Sequence, residues 1–182
     1  MCGGRGTRLG GDTEKPLVPV DGTPMVDRVR AAAANSAVDQ VHAVVSPHTP
    51  ETRRHLEERE GVDVLVAPGD GYVQDLGDAL SRVDPPVLTL ASDLPLLAGS
   101  IIDRVLDAAD GNSLAVYVDA GRKRRLGVSV DSATDVDGHQ RSPTGVNVVG
   151  VGEAAETLVV DDDRLAVNVN RPRDLWIAEA LL

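Results

Sequence analysis

Residues 1–29 read MCGGRGTRLGGDTEKPLVPVDGTPMVDRV: a loop rich in glycine and arginine, then a short extended piece, a turn and an apolar-periodic segment. Gly3, Gly4 and Gly6 let successive backbone N–H groups converge with no side chain in the way. Arg5 and Arg8 add fixed, multi-donor positive charge, Thr7 a hydroxyl and Lys15 an ammonium. Together they form a site for a highly charged phosphate group. Glycine alone would equally describe a disordered terminus. Cationic residues, in a chain otherwise short of positive charge, tip the reading toward phosphate. The stretch lacks the GxxxxGK[ST] loop of kinases and GTPases and the GxGxxG fingerprint of dinucleotide enzymes, which makes those classes a poor fit.

Outward from this loop the chain alternates between strand-like and helix-like segments. LVPV (17–20) reads as extended and Asp21-Gly22 as a turn. Thr23-Pro24 predicts a capped helix to about Asn35, and Thr49-Pro50 a second one to about Arg59. VHAVVS (41–46) and VDVLVA (62–67) read as strands, and GDGYVQDLGDALSRV (69–83) as a glycine loop opening into a helix. PVLTLASDLP (86–95) is a strand that ends in an aspartate, and Ser100 with Asp103 predicts a capping box on the next helix. LAVYVD (114–119) and LGVSVD (126–131) read as neighbouring strands joined by the basic link GRKRR. GVNVV (145–149) and LAVNVN (165–170) read as further strands. Pro172 opens a final helix whose Leu175, Ile177, Ala178, Leu181 and Leu182 are expected to pack inward. Segment 132–144 is the loosest, either a lid over substrate or a plain surface loop. Apolar strands alternating with helices predict one α/β domain over residues 1–182, with a mostly parallel central sheet covered by helices on both faces.

With 182 residues the chain can bury one full core, built on Val, Leu, Ile and Ala because Phe is absent. Against 29 acidic residues stand 18 basic ones, a formal charge of -11, and only Lys15 and Lys123 are lysines. Such a surface repels nucleic acid and anionic membrane. The Asp-rich, Lys-poor bias is that of halophilic archaeal proteins, and equally fits an acidic protein from a GC-rich genome. Cys2 is the single cysteine, so no internal disulfide forms, which suits the cytoplasm. No apolar run approaches a membrane span, and the first residues do not read as a signal peptide. The oligomeric state is left open by the pattern.

GGRGTRLGG (3–11) followed by EKPLVPVDGTPMVDRV (14–29) resembles the signature of the nucleotidyltransferases related to the molybdenum-cofactor guanylyltransferase. Gly3, Gly4, Gly6, Thr7, Arg8, Gly10, Lys15 and Pro16 match the pattern GGxGTRxG…KP one by one. The resemblance implies a Rossmann-like nucleotidyltransferase fold whose loop binds the triphosphate of the incoming nucleotide. It also implies a hydrophobic strand ahead of the loop. That first strand is missing from this sequence, and a sheet without it is expected to be weakened.

Ligands bind beyond the carboxyl ends of strands in open α/β sheets, and Asp93 stands at such an end. Its carboxylate suits a hard cation, or caps the segment that follows. The resemblance implies a metal-binding aspartate in a strand-Asp-x-Pro setting, matched by Asp93 and Pro95, with Mg²⁺ as the ion. In VNVNRPRDL (167–175), Asn168 and Asn170 either turn their carbonyls toward that metal or its water, or cap backbone at a strand end. His42, His48, His55 and His139 are scattered and fit no metal spacing.

Four stretches, HAVVSPHTPETRRHL (42–56), GDGYVQDL (69–76), PTGVNVVG (143–150) and VNVNRPRDLWIAEALL (167–182), resemble the archaeal guanylyltransferases acting on adenosylcobinamide-phosphate. This implies GTP and a phosphorylated corrinoid acceptor as partners. GMP would pass to the acceptor phosphate, giving adenosylcobinamide-GDP and pyrophosphate for cobalamin biosynthesis. Arg8, Lys15 and Asp93 would carry the chemistry without a protein nucleophile. Gly69, Asp70, Gly71 and Tyr72 either line the base and ribose pocket, with Asp70 accepting from guanine N1 and N2, or form a plain turn. Gly145 and Asn147 either face the acceptor or simply open a strand. The alternatives are transfer to molybdopterin or to a sugar phosphate, and a GTP-binding protein without catalysis.

Overall fold

The computed structural model describes residues 1–3, 9–152 and 154–182, so the expectations at Gly4, Arg5, Gly6, Thr7 and Arg8 lie outside the described residues. Lys15–Leu17 forms a single 3-10 turn. Strand β1 (Pro19–Val20) then pairs antiparallel with β2 (Thr23–Pro24) across the Asp21-Gly22 turn. Thr23 and Pro24 are thus hairpin residues, and helix α1 begins after them at Met25–Ala34, with no side-chain cap. Strand β3 (His42–Val45) precedes α2 (Pro50–Glu57), and here too Thr49 makes no capping bond to the helix. Glu14 does that work from a distance: its carboxylate accepts from Glu51 N at 2.8 Å and Thr52 N at 2.7 Å. One ion-pairable residue thereby ties the segment carrying Lys15 to the helix behind β3.

Strand β4 (Asp63–Val66) runs parallel to β3, and α3 (Tyr72–Leu80) follows the glycine loop. Alternate residues of β3 bury on opposite sides. Ala43 and Val45 pack with Val26 of α1 and Leu56 of α2, whereas Val44 packs with Ala79 of α3. Helices therefore cover both faces of this pair.

Strand β5 (Val87–Leu90) leads past Asp93 to α4 (Gly99–Ala109), whose N-cap is Ala98 and not Ser100. The predicted capping box does not form, because Asp103 instead accepts from Ala37 N at 2.7 Å at the end of α1. Strand β6 (Ser113–Asp119) is followed by helix α5 (Ala120–Leu126) where a basic link between two strands was expected. LGVSVD therefore forms no strand. Strand β7 (Thr134–Val136) and the long β8 (His139–Val149) make a hairpin of the segment expected to be loosest. Strand β9 (Ala155–Val159), helix α6 (Asp163–Ala166) and helix α7 (Pro172–Ala180) complete the chain.

The larger sheet has the order β5-β8-β6-β9. β5 and β6 both run antiparallel to β8, and β9 runs parallel to β6. β7 also pairs antiparallel with β8, so four strands of this sheet share one direction, with β8 running against them. The two sheets meet at the first residues, where Met1 N donates to Leu90 O at 2.8 Å and Cys2 N to Val44 O at 2.7 Å. The main core lies between α1, α4 and the larger sheet, built on Ile101, Ile102, Val105, Val116, Val118, Val146 and Leu165. A second core gathers Val20, Met25, Leu96, Val128, Val167, Val169 and Ala178. In α7 only part of the expected inward face is buried: Ala178 is, but Leu181 and Leu182 are 44% and 57% exposed. Among the described residues no helix is long and apolar enough to cross a membrane.

Candidate active site

Asp93 lies just past the end of β5, where the chain turns toward α4. Its backbone carbonyl accepts from Val169 N at 3.0 Å, which brings the segment 167–170 alongside. That segment is not the predicted strand. α6 ends at Ala166, and the following residues pair with no strand among the described residues, yet Val167 and Val169 are fully buried while Asn168 and Asn170 face a cleft. The side-chain alternation is that of a strand without the ladder.

The two asparagines do different things. Asn170 Oδ1 and Asp93 Oδ2 each stand 2.6 Å from the ammonium of Lys15. Asn168 turns its amide nitrogen to Asp93 Oδ1 at 3.1 Å and to Thr144 O at 2.8 Å, and its carbonyl to Lys123 Nζ at 2.8 Å. The carbonyl of Asn168 therefore faces a lysine and not the Asp93 carboxylate. Asp174 secures the segment from below. Its carboxylate accepts from Asn170 N, Arg171 N, Ser129 N and Ser129 Oγ at 2.6 to 3.0 Å. Burial works against that charge, and the bonds from Ser129, Asn170 and Arg171 outweigh it, holding the Asp174 carboxyl below the usual carboxylate range.

These groups border a cleft of about 330 Å³ lined by Tyr72, Asp93, Lys123, Gly145, Asn147, Asn168 and Asn170. Gly145 has φ +84°, and a Cβ there would come within 2.7 Å of the Cβ of Ala91, so the crossing of β8 over the end of β5 requires glycine. Asn147 sits one residue pair further along β8, opposite Thr89. Tyr72, the first residue of α3, reaches the same cleft, and burial together with the charge of Asp93 pushes its hydroxyl pKa up. Gly69, Asp70 and Gly71 do not line this cleft. Asp70 is exposed, and the buried carboxylate of that loop is Asp75, which accepts from Gly69 N at 2.8 Å. Gly3, the first glycine of the opening stretch, lies against Ser46, and a Cβ there would sit 3.3 Å from Ser46 Oγ.

Lys123 is the residue that sequence reasoning missed. It was absorbed into a basic link, but α5 turns it inward, leaving it 3% exposed while the neighbouring Arg124 and Arg125 face solvent. Burial lowers its pKa, partly offset by Asp93, Asp174 and Asp131. A local signal was present. Asp119 caps α5 by accepting from Arg122 N, and Gly127 ends it at φ 78°, the usual punctuation of a short helix.

As a cation site, the cleft offers two hard oxygens, Asp93 Oδ2 and Asn170 Oδ1, already converging on one positive group. This donor set fits Mg²⁺, which takes few protein oxygens and completes its shell with water and phosphate. Among the described residues no three His, Cys, Asp or Glu side chains cluster as a metal cage.

Residues 1–167 match the family model of the MobA-like NTP transferase domain. The chain is 32% identical over 196 residues to the adenosylcobinamide-phosphate guanylyltransferase of Methanocaldococcus jannaschii, covering 100% of this chain and 95% of that one. It is also 32% identical over 220 residues to the 2-C-methyl-D-erythritol 4-phosphate cytidylyltransferase of Streptomyces avermitilis, covering 98% of this chain and 88% of the relative. The crystal structure of Rv0371c from Mycobacterium tuberculosis shares the fold, with a TM-score of 0.70 at 18% identity over 98% of this chain and 94% of that one. With a glycine- and arginine-rich opening sequence, an aspartate beyond the end of β5 and a family match over most of its length, the chain belongs to the MobA-like nucleotidyltransferases, on a Rossmann-like α/β fold.

Proposed function

We propose that this chain transfers GMP from GTP to adenosylcobinamide-phosphate and releases pyrophosphate. The observation that carries the reading is the Lys15 ammonium held between Asp93 and Asn170 beside a cleft that Gly145 and Asn147 also line. On this reading the groups assigned to a cation and to the acceptor border one cleft. The nucleotide and acceptor are those in the name of the Methanocaldococcus jannaschii relative, which this chain matches along its whole length.

The chemistry needs no protein nucleophile. An oxygen of the acceptor phosphate attacks the α-phosphorus of GTP, the bond to the bridging oxygen breaks, and pyrophosphate leaves with the electron pair. A phosphate monoester is largely ionised near neutral pH, so no general base is required. The obstacle is repulsion between two anions and the charge growing on the leaving oxygen. Lys15 offsets that charge, with Gly3 and the residues Gly4, Arg5, Gly6, Thr7 and Arg8 assigned to the triphosphate. Once the Lys15 ammonium leaves them for the phosphates, Asp93 and Asn170 would hold Mg²⁺, which when bound supplies further positive charge against the phosphates. Gly145 lets the acceptor approach β8 backbone, and Asn147 offers it an amide. Asp70, at the mouth of α3, is assigned to guanine with Gly69, Gly71 and Tyr72.

Pyrophosphate release with adenosylcobinamide-phosphate, compared across GTP, ATP, CTP and UTP, tests the reading. Release with GTP at least about tenfold faster than with the other nucleotides is expected, since one charged hydrogen bond to guanine is worth that much. Release that needs a different phosphorylated acceptor, or another nucleotide, would overturn it.

A further inference from the structure

Burying a lysine is costly unless something answers its charge. The chain has two lysines, and both reach the same cluster from different directions: Lys15 on Asp93 and Asn170, Lys123 on Asn168. Lys15 has a carboxylate in contact. Lys123 donates to a neutral amide carbonyl at 2.8 Å, and among the described residues no carboxylate is in ion-pair contact with it. Asp93, Asp174 and Asp131 act on it only through space. An ammonium carries three donors, so capacity remains on a group that lines the 330 Å³ cleft.

The surroundings favour an oxyanion there. Lys123 lines the cleft together with Gly145 and Asn147, whereas Lys15 is not among its lining residues and reaches it through Asp93 and Asn170. Ser129 and Ser142 also line it, but both hydroxyls are already donating, to Asp174 Oδ2 at 2.6 Å and to Ser132 O at 2.9 Å. They shape the wall and leave Lys123 as its cationic donor. Asp131, the acid on that wall, is drawn toward Arg171 at 2.5 Å.

We propose that Lys123 binds the phosphate of the acceptor, so that the cleft separates its two anions between two lysines: nucleotide phosphates on Lys15, attacking phosphate on Lys123. This rests on the nucleotidyltransferase reading above and adds the acceptor's binding group to it. Held by Asn168, the ammonium is aimed before the acceptor arrives, which reduces the ordering cost of binding a second anion next to the first.

The experiment compares the wild type with Lys123→Met and Lys123→Arg, each checked for an unchanged thermal midpoint. GTP affinity is measured by calorimetry, and the KM for adenosylcobinamide-phosphate by pyrophosphate release. Lys123→Met is expected to raise the acceptor KM about ten- to hundredfold, the worth of a charged hydrogen bond, with GTP affinity within about twofold. Lys123→Arg should recover part of that loss. Inorganic phosphate, titrated calorimetrically into the GTP-bound protein, should bind the wild type and lose affinity in Lys123→Met. This arm reads Lys123 even if adenosylcobinamide-phosphate proves to be the wrong acceptor. Equal weakening of GTP and acceptor would place Lys123 in the nucleotide site. A fall in kcat at unchanged acceptor KM, with phosphate binding intact, would leave it only as the residue that orients Asn168. Either result overturns the proposal.

Discussion

The ammonium of Lys15 lies 2.6 Å from the carboxylate of Asp93, although 78 residues separate them in the chain. Lys15 opens a 3-10 turn anchored to α2 by Glu14, and Asp93 follows β5. On the proposed reading Lys15 turns from this contact to the nucleotide phosphates and leaves Asp93 to a cation, so the two roles can be separated experimentally. Asp93→Asn should leave GTP affinity within a few-fold while turnover at low Mg²⁺ falls by about two to three orders of magnitude, the usual cost of removing an electrostatic stabiliser. Lys15→Ala should weaken both binding and turnover, because it removes a positive partner from ground state and transition state alike. Turnover against Mg²⁺ concentration, with GTP affinity measured directly, checks both. Near-normal turnover of Asp93→Asn at low Mg²⁺ would return Asp93 to a structural role.

Gly145 offers a test of the cleft wall. Gly145→Ala adds a Cβ within 2.7 Å of the Cβ of Ala91 at a positive φ. A stability loss of about 1–3 kcal/mol is expected from the combined strain and overlap. In the double variant Ala91→Gly/Gly145→Ala the overlap is gone and the φ strain remains, so part of the loss should return. Urea denaturation of the three proteins measures it.

Asp70 and Asp75 are expected to divide specificity from stability. Asp70 is exposed, whereas Asp75 is buried and holds Gly69 N. Asp70→Asn should narrow the GTP-over-ATP ratio by about tenfold with stability unchanged within about 0.5 kcal/mol. Asp75→Ala should cost about 1–3 kcal/mol by leaving a backbone donor unpaired. An unchanged nucleotide ratio in Asp70→Asn would make Asp70 a turn residue.

Asp174 supports the site without touching the cleft. Its carboxylate collects four donors from Ser129, Asn170 and Arg171. Asp174→Ala should destabilise the fold by about 2–4 kcal/mol, since several buried N–H groups lose their acceptor together. Asp174→Asn should cost less, because the side-chain carbonyl still accepts. Thermal unfolding of both variants gives the comparison, and equal costs would show that the charge is what matters.

The sequence by itself determined the order of strands and helices from Met25 through Ala109, the position of Asp93 just past a strand end, and the family, whereas Gly145, read as opening a strand, lies inside β8. These follow from local chemistry: apolar runs, glycine at a forced turn, and a loop signature with few other uses. It also determined the side-chain alternation of 167–170, with Val167 and Val169 inward and the asparagines outward, but not that 165–166 belong to a helix or that 167–170 lack a strand partner among the described residues. Pairing was decided elsewhere, by β8 running between β5 and β6 and filling the ladder. Tertiary structure alone set which lysine faces which amide. Lys123 meets Asn168 across 45 residues, and Lys15 meets Asn170 across 155, because two sheets and the cores beneath them converge on one cleft. Periodicity reports only which face of its own element a residue occupies. What that face meets depends on packing between elements far apart in the chain, and on that packing the direction of the Lys123 ammonium was settled.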